Sequence, residues 1–273
     1  MQFRDTRHRL IQQVAWSTPG RALTRCWLGL KRRLDYVGLN YSLHTPTNGE
    51  LWLMNCLPAK PVVLDVGFND GGFTGELLTA RPEAQVIAFD PSRGAQVAYA
   101  AQFAGDARVK FVNAALSSTT GAAEFHDYGN MSSSLAARSE QLGGEVASYS
   151  VPVRRLDDYA QEQQLAQIDF LKIDAEGFDL HVLEGASRLL DRQAIDVLMF
   201  EYADGWISSR RFLQEASAYL GTKPYELFRL YNGFLAPFTY ETRHENFSLG
   251  CMFVAVSEKH CARALITVKN VPF

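Results

Sequence analysis

The chemistry is most legible in Val62-Val63-Leu64-Asp65-Val66-Gly67-Phe68-Asn69-Asp70-Gly71-Gly72-Phe73. A short aliphatic run ends in a Gly-x-Asn-x-Gly-Gly turn that opens onto a helical stretch. Glycines in such a turn let the backbone approach a ligand, and the start of the next helix offers free N–H groups. A turn of this kind can also serve only to pack a strand on a helix. Asp90 stands 19 residues beyond Gly71, at the end of Gln85-Val86-Ile87-Ala88-Phe89. Nucleotide-binding α/β units hold ribose hydroxyls with a carboxylate at about this spacing. With Pro91 beside it, capping a helix is the plainer alternative. The pattern admits a dinucleotide or an adenosyl cofactor. Asn69 takes the second glycine position of G-x-G-x-x-G, which counts against NAD. Asp65 would be a poor neighbour for a pyrophosphate but suits the ammonium or sulfonium region of S-adenosylmethionine.

Two further carboxylates are candidate catalytic groups. Asp174 follows the buried run Phe170-Leu171-Lys172-Ile173, at the strand end where open α/β sheets bind ligands. Alternation puts Lys172 on the same side as Asp174, so an ion pair between them is the structural alternative. Glu201, after Val197-Leu198-Met199-Phe200, holds the equivalent position on the next strand. Asp174, Glu201 and Asp204 offer oxygen ligands for Mg²⁺ if they converge. Glu176 is read as bonding the Gly177 turn. The hydroxyls of residues 129–135 are candidates to touch the cofactor or a polyol, with an ordinary solvent loop as the alternative. His126 and His181 each stand alone and read as surface or structural. The chain lacks G-x-x-x-x-G-K-[ST], H-E-x-x-H, G-x-S-x-G and any cysteine cluster, which disfavours P-loop, zinc and serine-hydrolase chemistry.

The segment from Asp65 to Gly71 resembles the first motif of class I S-adenosylmethionine-dependent methyltransferases, in particular the FkbM-like branch. Asn113-Ala114-Ala115-Leu116-Ser117, Leu156-Asp157-Asp158-Tyr159 and Asp169 to Asp179 match that branch in order, and Lys172-Ile173-Asp174-Ala175-Glu176-Gly177 is the most specific part. The resemblance spans about residues 60–256 and departs at Phe68 and Asp70, where the family more often has a small and then an apolar residue. It implies a Rossmann-like seven-stranded sheet with an antiparallel last strand. It also implies that Asp65, Gly67, Asn69 and Gly71 line the methionine side of the cofactor. Asp90 would take the ribose, Asn113 and Ala114 the adenine, and Asp174 the reacting methyl group. The implied activity is O-methylation, frequently of sugar hydroxyls in glycans, glycolipids or secondary metabolites. A small-molecule methyltransferase or a catalytically silent cofactor-binding protein is the alternative.

These residues need a scaffold, and the hydropathy pattern supplies one. Runs at 62–66, 85–89, 109–112, 168–173 and 195–200 are short, rich in Val, Ile and Phe, and bounded by Gly, Pro or Asp, as buried strands are. Helices are expected near 72–80, 93–104, 157–165 and 179–191. Such alternation predicts a doubly wound, mostly parallel α/β sheet. Residues 225–238 and 247–256 read as two strands pairing antiparallel at one edge.

The 273 residues are 47% hydrophobic and 21% charged, enough for a substantial core. The longest apolar run, Cys251 to Val256, is far short of the roughly 20 residues a membrane-spanning helix needs. With no charged-then-apolar leader and four scattered cysteines (Cys26, Cys56, Cys251, Cys261), the expectation is a cytoplasmic protein with reduced thiols. The net charge of −3 hides an asymmetry. Residues 1–40 carry eight Lys/Arg against two acidic residues, +6, and the rest 19 against 28, −9. An acidic body argues against a nucleic-acid partner. Residues 1–57 are read as a basic helical extension that Pro19-Gly20 breaks in two, and 58–273 as the sheet domain. Leu23, Cys26, Trp27, Leu30, Leu34 and Val37 form an amphipathic stripe. It either packs on the sheet domain or docks, with its basic neighbours, on anionic lipid at the inner membrane face.

Overall fold

The structure is a computed structural model that describes residues 14, 17–38, 40, 45–129, 134–135, 147–247, 250–261 and 267–269. The chain divides into two compact units, Met1–Ser42 and Leu43–Phe273. In the first unit a helix runs Thr18–Gly38. Pro19 and Gly20 fall in its first turn, where proline is tolerated, and the Ser17 hydroxyl oxygen accepts the Gly20 N–H at 3.1 Å. Leu23, Trp27, Leu30 and Leu34 are 69, 61, 56 and 62% exposed. The side chains of Arg32 and Val37 lie outside the described residues.

The boundary expected at 57/58 moves to 42/43. Leu53, Met54 and Leu57, on and after the helix Glu50–Cys56, belong to the main core of the second unit beside Val63, Leu77 and Phe170. A boundary drawn from charge and composition comes too late, because this helix uses its apolar residues to cover the sheet.

The second unit is built on strands β1 (Val62–Val66), β2 (Gln85–Phe89), β3 (Val109–Val112), β4 (Ala115–Leu116), β5 (Gly121–Asp127), β6 (Ala147–Arg154), β7 (Ile168–Ile173), β8 (Ile195–Tyr202), β9 (Tyr225–Tyr231), β10 (Phe234–Pro237) and β11 (Cys251–Ser257). The main sheet has eight strands, not seven, in the order β10-β9-β11-β8-β7-β1-β2-β3. Strands β8, β7, β1, β2 and β3 pair parallel, and β11 runs antiparallel to both β8 and β9. The extra strand comes from the segment read as continuous over 225–238. Asn232-Gly233 breaks it, with Gly233 at φ +86°, a left-handed turn that folds β10 back on β9. The helical stretch expected over 179–191 is two helices, Asp179–Gly185 and Ser187–Asp191.

A second sheet of three strands, β4-β6-β5, was not expected. Phe125, Val151 and Val153 pack on Ala115 in a small core of their own. The buried strands of the main sheet read as continuous apolar runs. In the small sheet β6 buries one face only and therefore alternates.

The order of the main sheet reverses at β1, whose neighbours are β2 on one side and β7 on the other. Ligands of open α/β sheets bind outside the strand ends at such a switch point.

Candidate active site

A cleft of about 720 Å³ opens at that switch point, lined from the turn after β1, the end of β2, and the ends of β7 and β8. On its β1–β2 side, Gly67 has φ +84°, and a Cβ there would lie 1.9 Å from the carbonyl oxygen of Asp174. Only glycine lets the two strand ends approach this closely. Asn69 adopts φ +51°, a left-handed conformation that asparagine tolerates better than most residues. Its N–H then donates to Asp90 Oδ2 at 2.9 Å. Asp90 Oδ1 accepts the Ser92 N–H at 2.8 Å. Both carboxylate oxygens are thus fixed by backbone and keep a lone pair each toward the cleft. Burial raises the Asp90 pKa, and the Asn69 and Ser92 bonds oppose that rise. The helix Arg93–Gln102 is capped not by Asp90 but by Ser92, whose hydroxyl accepts the Ala95 N–H.

Phe68 explains the departure from the motif. It is buried edge-on against Tyr99, Phe103 and Phe111, with ring centroids 5.5 to 6.4 Å away, and anchors the turn. Gly71 is buried against the rings of Phe68 and Phe103 and lies outside the cleft lining. Ala114 lines the cleft. Asn113 does not: it is exposed, and its amide faces the carbonyls of Asp90 and Pro91 and the side chain of Gln96.

The β7–β8 side is organised by Lys172. Register places it opposite Asp65 across the β1–β7 pair. Its ammonium lies 3.4 Å from Asp65 and 3.3 Å from Asp174, and donates to the Gly67 carbonyl at 3.2 Å. Burial alone would lower the Lys172 pKa, but the carboxylates of Asp174, Asp65 and Glu50 outweigh it and hold it above the ordinary value. Asp65 is wholly buried and outside the cleft lining; it accepts the Thr74 hydroxyl at 2.7 Å and braces Lys172. The direct contact with the cofactor expected of Asp65 is therefore replaced by a supporting role. Asp174 makes the anticipated ion pair and still presents a side chain 32% exposed to the cleft. Glu201 also lines the cleft, opposite Met252 of β11. Burial, followed by the charges of Asp174, Asp179 and Glu176, pushes its pKa well up.

Glu176 and Asp204 line the cleft as well. Among the described residues, however, no group of three or more His, Cys, Asp or Glu side chains is placed to hold a metal ion. The Mg²⁺ set of Asp174, Glu201 and Asp204 is withdrawn. In the segment 129–135, residues 130–133 lie outside the described residues. Ser134 lines the cleft with its hydroxyl donating to the Glu176 carbonyl at 3.1 Å. His126 sits 3.0 Å from the Ser148 hydroxyl and His181 stacks on Phe178, both outside the cleft lining.

Two acidic residues of the cleft were missed in the sequence, Glu50 and Glu76. Glu50 opens the helix Glu50–Cys56, ahead of every motif, and Glu76 lies on the helix after the glycine turn.

The sheet, its switch point and this cleft define a doubly wound α/β protein with a ligand site at the ends of its parallel strands. The Methyltransferase FkbM domain family matches residues 65–227, more than half of the chain, and the chain belongs to that family. It is similar to the 2-O-methyltransferase NoeI of Sinorhizobium fredii (strain NBRC 101917 / NGR234), 29% identical over 157 residues, which cover 53% of this chain and 64% of that protein. It is also similar to the methyltransferase sdnD of Sordaria araneosa, 29% identical over 160 residues, 47% of this chain and 61% of that one. The chain thus spans less than two thirds of these curated relatives. A solved structure of Methyltransferase FkbM from Methylobacillus flagellatus KT superposes with TM-score 0.46 at 15% identity, over 72% of this chain and 44% of that one.

Proposed function

We propose that the protein transfers the methyl group of S-adenosylmethionine to a hydroxyl of a sugar, glycan or glycolipid. The observation that carries this reading is the cleft itself, which joins the Asn69–Asp90 turn to the Lys172–Asp174 ion pair and Glu201. The residues fit the cofactor: Asp90 has lone pairs for a ribose, and the acidic strand ends suit a sulfonium cation. When bound, the cofactor supplies a methyl group that is already electrophilic. The chain must hold the acceptor in line, exclude water and receive the hydroxyl proton. Asp174 Oδ2 faces Lys172, leaving Oδ1 to take that proton. Glu201, whose pKa burial and the charges of Asp174, Asp179 and Glu176 push well up, lines the same cleft and is placed to hydrogen-bond the acceptor.

The printed name of the NoeI relative, a 2-O-methyltransferase, supports a hydroxyl acceptor. The acidic lining supports a neutral polyhydroxylated acceptor over a polyanion such as nucleic acid. Parallel calorimetric titrations with S-adenosylhomocysteine and NAD test the cofactor, and labelled S-adenosylmethionine with a panel of sugars and small alcohols tests the acceptor. Heat from NAD alone would overturn the reading, and so would binding of S-adenosylhomocysteine with no hydroxyl methylated.

The exposed stripe of the helix Thr18–Gly38, flanked by exposed Arg21, Arg25, Lys31 and Arg33, supports reversible contact with anionic lipid at the cytoplasmic membrane face. No helix among the described residues is long and apolar enough to cross a membrane. Each nearby basic residue favours such a surface by roughly 1 kcal/mol. Replacing Lys31, Arg32 and Arg33 with Gln should release the protein from anionic vesicles in co-sedimentation while a soluble acceptor is still methylated.

A further inference from the structure

We infer that Glu50 and Glu76 bind the primary ammonium group at the amino-acid end of the cofactor, making a helix ahead of the family motifs part of the cofactor site. The inference rests on the cofactor proposed above. It starts from the finding that Asp65, the carboxylate expected to meet that end of the cofactor, is withdrawn beneath the cleft and held by Lys172 and Thr74. Among the described residues lining the cleft, Lys172 is the one cation, and its ammonium is already shared by Asp65 and Asp174. Glu50 feels that ammonium only at longer range, and among the described residues neither Glu50 nor Glu76 has a cation within ion-pair distance.

Their surroundings mark them as ligand groups. Glu50 is 8% exposed. Asn48 fixes it from both ends: its amide nitrogen donates to Glu50 Oε1 at 2.6 Å, and its amide oxygen accepts the Glu50 N–H at 2.9 Å. Among the described residues nothing donates to the other oxygen, Oε2, and the side chain lines the cleft. On the facing helix Gly72–Ala80, Glu76 also lines the cleft, and its Oε2 is buried with no hydrogen-bond partner. Burial raises the Glu50 pKa; the Lys172 charge opposes the rise, Asp174 adds to it, the Asn48 hydrogen bond opposes it and Glu76 adds to it. A buried carboxylate left without a partner is costly. Glu76 Oε2 has no such partner, and Glu76 lines the same cleft as Glu50 from a helix in contact with that of Glu50; together they are complementary to a cation with several N–H donors. A primary ammonium brings three. The helix Glu50–Cys56 is held firmly enough to present the group, through Leu53 and Met54 in the core and through the Arg81 guanidinium, which donates to the Leu57 carbonyl at 2.9 Å.

The test is calorimetric binding of S-adenosylhomocysteine and of its desamino analogue to the wild type, Glu50→Gln and Glu76→Gln, with thermal unfolding as a check of folding. Glu50→Gln should weaken S-adenosylhomocysteine binding by about tenfold or more, the effect of losing a charge-assisted hydrogen bond. It should leave the affinity for the desamino analogue unchanged. Glu76→Gln, which does not touch the Asn48 bonds, should show the same selective loss and carries the test if Glu50→Gln fails to fold. Equal affinity of wild type and variants for S-adenosylhomocysteine would overturn the assignment. Equal loss for both ligands would overturn it too, by making the pair merely structural. Failure of the wild type to bind S-adenosylhomocysteine at all would instead remove the proposed cofactor, and this assignment with it.

Discussion

The two sides of the cleft solve the same problem, holding a charged or polar ligand, with opposite materials. The β1–β2 side uses backbone geometry and one carboxylate, Asp90, whose two oxygens are each fixed by a main-chain N–H. The β7–β8 side concentrates side-chain charge, with Asp65, Asp174 and Glu50 around one buried ammonium and Glu201 and Asp179 close by. The first side is locally satisfied before any ligand arrives. The second is a network in which each charge depends on its neighbours, so single substitutions there should propagate farther.

The largest expected effect is Lys172→Met. It strands the fully buried Asp65 and should cost about 3–5 kcal/mol in denaturant unfolding, the penalty for breaking a buried pair from one side. Adding Asp65→Asn should restore part of that loss; a double variant as unstable as the single one would refute the pairing. Asp174→Asn should lower methyl transfer by about 10²–10⁴-fold while changing S-adenosylhomocysteine affinity little, as expected for a proton acceptor. Equal losses in turnover and affinity would make it a binding residue. On the other side, Asp90→Ala should weaken S-adenosylhomocysteine binding by about 1–3 kcal/mol, and an unchanged affinity in titration would remove Asp90 from the site.

The subtlest prediction concerns pH. Burial first, and the Asp174 charge second, push the Asp179 pKa up to about 7. Above its unfolded value near 4 the unfolded chain has lost a proton that the folded chain keeps, so this group's contribution to stability falls as pH rises toward 7. Asp179→Asn removes that slope, so the variant should gain on the wild type between about pH 4 and 7 in thermal unfolding. Parallel curves across that range would contradict it.

The same contrast governs what was legible in the sequence. Strands β1, β2, β3 and β7 match the expected bounds residue for residue; β1 and β7, inside the sheet and largely buried, read as nearly continuous apolar runs. Asp90 and the Asn69 turn were legible because their geometry is local. The role of Asp65 was not: its partner Lys172 is 107 positions away, and only the register of β1 against β7 brings them together. Glu50 was missed because it precedes the motifs and was grouped with the basic arm. The small sheet left a signal that was not used. Tyr149, Val151 and Val153 alternate with polar or exposed residues, the pattern of a strand with one buried face. Asn232-Gly233 likewise marks the β9–β10 hairpin.

The position of β11 has a consequence for how the chain is made. It is the last strand of the main sheet in sequence, yet it lies between β9 and β8. On a ribosome adding ~5–20 residues per second, β8 waits ~3–10 s for residues 251–257 to arrive. Throughout that interval Val197-Leu198-Met199-Phe200, flanked by Glu201, presents an open strand edge to solvent and to neighbouring nascent chains. The strand that carries Glu201 to the cleft is thus the same stretch of polypeptide that waits unpaired on one edge during synthesis. Yield of soluble protein should therefore respond to translation speed between codons 202 and 257 more than to speed anywhere upstream of β1.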